Sequence, residues 1–542
     1  MRSTGLIAVG ILAAAVVACQ DLEVTNPNNP DREVVARSPS DVEALISSSF
    51  RQWFNRAQSN TPSLALSTMA DELTSGFFDF GTQEMSREPR QAVNNAPNAP
   101  NSPHTAPFST YYSIIAGVNA ALRAITVDGL RITSGSEDVT MRAYAFGKFV
   151  QGISHGQIAI LYDQGWVHSE SMDVDTLPFG GGSTIVRDLL RPYTVIRDSA
   201  IAQLEEALRV ASENDFTLPG NRPGEWIPGL TMSNEEFARL IHTYIARIMV
   251  YTARSPEERA AVDWARVISH IDNGITEDFA PVGSPDILQS TYKQLAARQR
   301  TVTPGDFARV DYMVVGPADT TNAFIQWYNT PWEQRQPFRI MTPDARIGTN
   351  HTDDRGLYIG YHEANVWAAD RGTGQRSYYF FHRLGRLESW RTGPLPIVTV
   401  AEMDLLKAEG LIRLNRAAEA VDLINKTRVA NGNLPPVTVD GVPGTAPACV
   451  PRKLNGECGS LWDALRYEKR IEGIGVDATA SFADARGWGA LVVNTPVHFP
   501  IPGNQLQLMQ MAPYTTGGGH PGSAPPPDPE RCPPGVTLAR CP

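Results

Sequence analysis

Beyond residue 18 this sequence has no apolar run long enough to cross a bilayer, so nothing in its body reads as a transmembrane helix. It has no Lys/Arg run, and a formal net charge of −11 has the wrong sign for a phosphate backbone, which argues against nucleic acid as a partner. His-Glu-x-x-His, a Walker loop, a Gly-x-Ser-x-Gly elbow and a dinucleotide fingerprint are all missing, so no motif signals a catalytic residue, a metal centre or a cofactor. Cysteine is scarce, with five in 542 residues. Glycine and proline are not: 44 and 41 of them require long ordered loops around any scaffold. A hydrophobic content of 42 % with 19 % charge is that of a chain that builds a core.

The scaffold reads as helix. In residues 399–429, Leu405, Leu406, Ala408, Leu411, Ile412 and Leu414 recur at three- and four-residue spacing, and Ala417, Ala420, Val421 and Ile424 repeat it after Asn415. So short a connection makes an antiparallel hairpin with Glu402, Lys407, Arg413, Glu419 and Lys426 on its wet face. Asn431-Gly432-Asn433 and Pro435-Pro436 end it. Six earlier stripes have the same period: Val42 to Trp53, Tyr111 to Ile125, Tyr144 to Ile160, Tyr193 to Leu208, Phe237 to Ile248 and Val262 to Ile271. Gly152 and Gly156 predict a close helix contact. The fold class is therefore all-α dominated, with tetratricopeptide-like stacking of helix pairs.

The ends carry different signals. Met1-Arg2 followed by an apolar run to Ala18 predicts a signal peptide over 1–18, and Val16-Val17-Ala18-Cys19 resembles the bacterial lipobox, which makes Cys19 the expected lipidation site. Residues 19–39, centred on Asn26-Pro27-Asn28-Asn29-Pro30, read as an extended tether, and residues 40–513 as one helical domain. A Gly/Pro-rich tail occupies 514–542. Cys449 with Cys458, and Cys532 with Cys541, have equal separation in loops of an exported chain; two local disulfides are the simpler reading, and a metal site is the other, although the spacings fit no common zinc pattern.

Between residues 279 and 396 helical periodicity fades and aromatics crowd an irregular insert, the kind of segment that usually carries function. Tyr378 to Phe381 is a continuous apolar run and reads as a buried strand. Gly180 to Ser183 reads as a flexible loop, and Asp173 with Asp175 as solvated loop carboxylates. Asp353, Asp354 and Glu363 are the carboxylates a glycosidase would use, but their separation decides that chemistry and sequence does not supply it.

Assembled, these landmarks resemble the SusD/RagB family of outer-membrane nutrient-binding lipoproteins. Asp21 to Asn28 is similar to the family's post-cysteine segment, and Tyr111 to Ile125, with Asn119, to its early tyrosine-rich helix. Arg142-Ala143-Tyr144 to Gly165-Trp166 resembles the helix that ends in a glycine turn. In the hairpin Ala408-Glu409 is followed by Ile424-Asn425-Lys426-Thr427-Arg428; then Glu468 to Glu472, Phe482 to Gly489 and Phe499-Pro500-Ile501-Pro502 appear in family order. Gly487 stands where a second Arg is common, and the stretch 473–481 is longer and smaller than usual. The resemblance implies a tetratricopeptide-like scaffold, an exterior-facing ligand site built from inserted loops, and a TonB-dependent (SusC-like) transporter as partner. Its ligands are typically oligosaccharides, sometimes peptides.

The expected protein is therefore a non-catalytic, lipid-anchored outer-membrane binder facing the cell exterior. A secreted carboxylate hydrolase and a helical-repeat adaptor without a small ligand are the rival readings. Sugar rings have apolar C–H faces and many hydroxyls, which suit flat aromatics beside amides. Trp327, Tyr328 and Trp332 stand beside Asn329, Thr330 and Glu333, and Trp367 follows Asn365 in a segment without periodicity. Trp327, Tyr328, Trp332, Tyr361 and Trp367 are thus the expected stacking platform, with Asn329 and Asn365 bonding ligand hydroxyls. Aromatics of this size also fill cores, and a long insert needs a core of its own.

Overall fold

The computed structural model describes residues 38–515 apart from 77–80, 89, 91–92, 100–101, 173–186, 222–223, 287, 291, 294–307, 352–353, 364–375 and 385–391. Cys19, Asp173, Asp175, Gly180 to Ser183, Asp353, Asn365, Trp367, Cys532 and Cys541 lie outside the described residues.

Each predicted stripe is a helix. The first, α1 (Pro39–Ala57), starts where the Ser38 side chain accepts the Asp41 N–H and proline fills the first turn, and it buries Val42, Ile46, Phe50 and Trp53. Next come α2 (Asn60–Met69), α3 (Thr105–Thr126), α4 (Thr140–Leu161), α5 (Tyr193–Glu213), α6 (Asn234–Tyr251) and α7 (Trp264–Asp272). The hairpin is α8 (Val400–Arg413) and α9 (Ala417–Ala430), followed by α10 (Leu461–Gly473) and α11 (Ala478–Gly487). Along the array α3 packs on α4, α4 on α5, α5 on α6, α6 on α7, α7 on α8, and α8 on α9 and α10. This is the tetratricopeptide-like helical scaffold with long irregular insertions. Among the described residues no helix is long and apolar enough to cross a membrane.

Position in the array decides how much of each helix is wet. Covered by α3 on one side and α5 on the other, α4 is buried at every residue from Ala145 to Leu161. Its polar side chains therefore need partners: Gln151 Nε2 donates to Asn119 Oδ1 at 2.6 Å, and His155 Nδ1 meets Gln203 Oε1 at 2.9 Å. The two glycines make the contact expected of them. A Cβ on Gly152 would stand 2.7 Å from Leu204 Cγ, and one on Gly156 2.3 Å from Ile248 Cδ1. Either methyl group would push α4 off its neighbours.

The hairpin keeps a small core of its own, in which Leu405, Ala408, Leu411, Ala420 and Ile424 meet Ile268, Leu461 and Leu465. Asn415 takes the positive φ of 60° that closes the connection, a conformation asparagine adopts more readily than most residues. Lys407, Glu419 and Lys426 are on the surface, but Glu402 is not. Its carboxylate is buried against α6, accepting from Arg247 Nε at 2.8 Å and Tyr251 Oη at 2.7 Å. Arg413 also folds inward, onto Glu409 at 3.0 Å.

In the insert β1 (Ile359–Tyr361) pairs antiparallel with β2 (Tyr379–Phe381), so the continuous apolar run is indeed a buried strand. Cys449 and Cys458 are joined in a disulfide, which removes the metal reading for that pair. Tyr514, expected to begin a loose tail, is half-buried, and its hydroxyl donates to Asp163 Oδ2 at 2.8 Å.

Candidate ligand cavity

The structure divides the expected platform. Trp327, Tyr328 and Tyr361 are buried, with 7 %, 1 % and 3 % of their surface exposed, which leaves little ring face open for a sugar to stack on. They form the insert's own core. The Tyr312 ring stacks on Phe338 with centroids 4.4 Å apart and meets Trp327 at 5.0 Å, while Tyr379 touches Tyr361 at 5.5 Å. Above Trp327 lies the guanidinium of Arg335 at 4.5 Å, itself tied to Glu88 at 2.7 Å. Trp332 is half-buried with Arg87 6.0 Å from its ring, and Asn329 is exposed at the end of the short helix Ala323–Asn329. Trp327→Ala is expected to lose about 3 kcal/mol of stability by leaving a core cavity. Trp332→Ala should lose much less, and thermal unfolding of the two variants makes the comparison; equal losses would place Trp332 in the core as well.

Of the three carboxylates expected for a hydrolase, Asp354 and Glu363 are among the described residues. Asp354 accepts the N–H groups of Asn350 at 2.6 Å and Thr349 at 2.7 Å, and these hydrogen bonds hold its carboxyl below the usual range. A general acid needs the opposite shift. Glu363 is exposed and accepts from Tyr361 Oη at 3.2 Å.

A cavity of about 310 Å³ opens elsewhere, within the size range of small-ligand sites. Its floor is one face of α10. The Ser460 side chain accepts the Asp463 N–H at 3.2 Å and the Asp463 carboxylate accepts the Ser460 N–H at 2.9 Å, a capping box that starts the helix. Counting from Asp463, Arg466, Tyr467 and Arg470 follow at three, four and seven residues, so all four share that face. The disulfide-closed loop supplies Pro451 to Asn455 as a second wall. Met313, Pro317 and Tyr328 form a third, and Gly489 to Leu491, just after α11, a fourth.

Most of the polar groups are already engaged. Tyr467 Oη donates to Asp344 Oδ2 at 2.6 Å, and Arg470 donates to the carbonyls of Met313 at 3.1 Å and Ala70 at 2.9 Å. Arg452 Nη2 donates to Asn322 Oδ1 at 2.7 Å and the Gly456 carbonyl at 3.1 Å. Arg466 differs: beside the Trp488 ring at 5.5 Å, it has no hydrogen bond or ion pair to any described residue. Burial, with the charge of Arg470 beside it, brings its pKa down to about 10. Of the expected site residues that are described, Tyr328 alone lines this cavity. Arg452, Arg466 and Arg470 were not singled out from sequence, although the polar stripe from Asp463 to Arg470 on an otherwise amphipathic helix is a signal of such a face.

One face of α10 and three further walls thus line a ligand-sized cavity on a scaffold of stacked helices. Solved structures share that scaffold. A SusD superfamily protein from Bacteroides vulgatus superposes with a TM-score of 0.53 at 13 % identity, over 90 % of this chain and 100 % of that one. A SusD-like carbohydrate binding protein from Bacteroides fragilis gives 0.53 at 15 % identity, over 84 % and 87 %. A SusD superfamily protein from Bacteroides thetaiotaomicron gives 0.51 at 15 % identity, over 83 % and 90 %. No family model and no curated protein matches the sequence. The fold of this chain is the SusD fold.

Proposed function

We propose that this protein is a SusD/RagB-family lipoprotein that binds an oligosaccharide, or less typically a peptide, at the cell surface and passes it to a TonB-dependent, SusC-like transporter. The observation that carries the reading is the SusD fold, shared along most of the chain with a protein described as carbohydrate binding. A cavity of about 310 Å³ outside the packed core supports a binding role over a purely structural adaptor.

Titration calorimetry of the mature chain against neutral and acidic oligosaccharides, followed by chromatography of the recovered glycans, tests this. Binding with every glycan returned intact is expected. Cleaved products would favour the hydrolase, and no binding to any glycan would remove the carbohydrate reading. Anchoring rests on Val16 to Cys19 and the polar tether behind them. Two or three acyl chains, at about 0.8 kcal/mol per buried methylene, hold a protein on a bilayer, so Cys19→Ala should release it into the soluble fraction. Retention of the variant, with a native mass that lacks lipid, would refute lipidation there.

A further inference from the structure

We propose that the cavity over α10 receives the carboxylate of an acidic sugar, a hexuronate unit of the captured glycan, with Arg466 as its forked partner. The inference rests on the reading of the chain as a glycan binder and names the class of glycan.

Arg466 is the starting point. A guanidinium has five N–H donors, and leaving them without acceptors in a partly dry cavity costs desolvation free energy that nothing in the described protein offsets. The depressed pKa reports the same cost. A carboxylate matches the guanidinium fork in plane and spacing and would supply two charge-assisted hydrogen bonds.

The rest of the wall favours the same ligand. Arg452, Lys453 and Arg470 line the cavity with Arg466, whereas Asp463 is the one carboxylate lining it among the described residues. Asp463 is occupied at the helix cap, where its Oδ2 also accepts from Ser460 Oγ at 2.6 Å. Every acceptor recorded for Arg452 is neutral: the Asn322 amide and the carbonyls of Gly456 and Asp319. Among the described residues no ion pair balances its charge. Lys453 pairs only at 3.5 Å, with exposed Glu457. A basic cavity in a chain of net charge −11 is a local exception that attracts an anion to one place. Met313, Leu454 and Leu491 supply apolar surface for the C–H faces of a pyranose ring, which a free inorganic anion would not use.

The test is calorimetry of the mature chain with a short oligogalacturonide, its methyl ester, a neutral oligosaccharide and a sulfated one. The acid should bind at least tenfold more tightly than its ester, and 0.5 M NaCl should narrow that difference. Arg466→Gln should abolish the preference, and Arg466→Lys should restore part of it. Because Arg466 has no hydrogen bond or ion pair to a described residue to lose, Arg466→Gln should melt at or above the parent temperature, whereas a merely structural arginine would melt lower when replaced. Equal affinity for acid and ester, or a preference that survives Arg466→Gln, overturns the proposal. Arg466-dependent binding of the sulfated sugar but not the uronide also overturns it, in favour of a tetrahedral anion. Neutral glycans that bind without regard to Arg466 leave the glycan-binding reading standing while the acid site falls, and no glycan binding at all removes both.

Discussion

Replacing Glu409 with alanine is expected to destabilise the protein by about 4 kcal/mol, because it removes the shared acceptor of a buried charge cluster. The Glu409 side chain has no exposed surface, nor does that of Arg259. Arg259 donates to it twice, from Nε at 2.9 Å and Nη2 at 2.8 Å, in a forked pair. Arg413 Nε adds a bond at 3.1 Å and Trp488 Nε1 one at 3.3 Å. Without Glu409, Arg259 would keep one carboxylate among the described residues, Asp484 at 2.7 Å, which already serves Lys469, and the Val250 carbonyl at 3.4 Å. An underpaired buried guanidinium is the large term, and lost packing adds to it.

The pH dependence follows from the sign of the shift. Burial alone would raise the Glu409 carboxyl, but the charge of Arg259 outweighs it and holds the group below its ordinary value of 4.5. A folded pKa below the unfolded one stabilises the fold above the unfolded value, and that contribution is lost as pH falls through the folded value. Urea unfolding of Glu409→Gln and the parent should therefore differ most at pH 7 and converge on acidification below about pH 4. A loss under about 1 kcal/mol for Glu409→Ala at pH 7 would mean that water reaches the site and solvates Arg259.

Arg346→Ala should be worse still, about 5 kcal/mol or more, since one guanidinium there holds three carboxylates. Its Nε and Nη2 donate to Asp344 at 2.9 and 2.8 Å, its Nη1 and Nη2 to Glu468 at 2.6 and 3.1 Å, and its Nη1 to Glu472 at 3.0 Å. Asp344 and Arg346 belong to the insert, and Glu468 and Glu472 to α10, so this cluster joins the irregular segment to the helical array. Burial raises the pKa of Glu468 despite the opposing charge of Arg346. A carboxyl whose folded pKa is raised contributes stability below its unfolded value and loses it as pH rises through the folded one. Removing the guanidinium enlarges that shift, so the variant should be closer to the parent at pH 5 than at pH 8. Equal deficits at both pH values would argue that lost packing, not buried charge, dominates.

The helices were legible because their signal is local. A stripe at three- and four-residue spacing needs only neighbours along the chain, and all six early stripes and the 399–429 hairpin became helices. The strand at Tyr379 to Phe381 and the Cys449–Cys458 disulfide were legible for the same reason, a short apolar run and a short loop. Exposure was not local. Trp327 and Tyr328 have polar neighbours in sequence, yet Tyr312 and Phe338, more than ten residues away on either side, cover Trp327. Glu402 reads as the wet side of a helical wheel until Arg247 arrives from another helix.

By itself, then, the sequence determined the helical array, the close approach at Gly152 and Gly156, and the buried strand, because each depends on periodicity or on the size of one residue. Tertiary structure alone decided which aromatics became core, which charges were buried in pairs, and where a cavity remained. The walls of that cavity come from residues near 313–328, 451–455, 463–470 and 489–491. No periodicity links segments so far apart, and Arg466 is left without a hydrogen bond or ion pair among the described residues only because of how the other three walls close around α10.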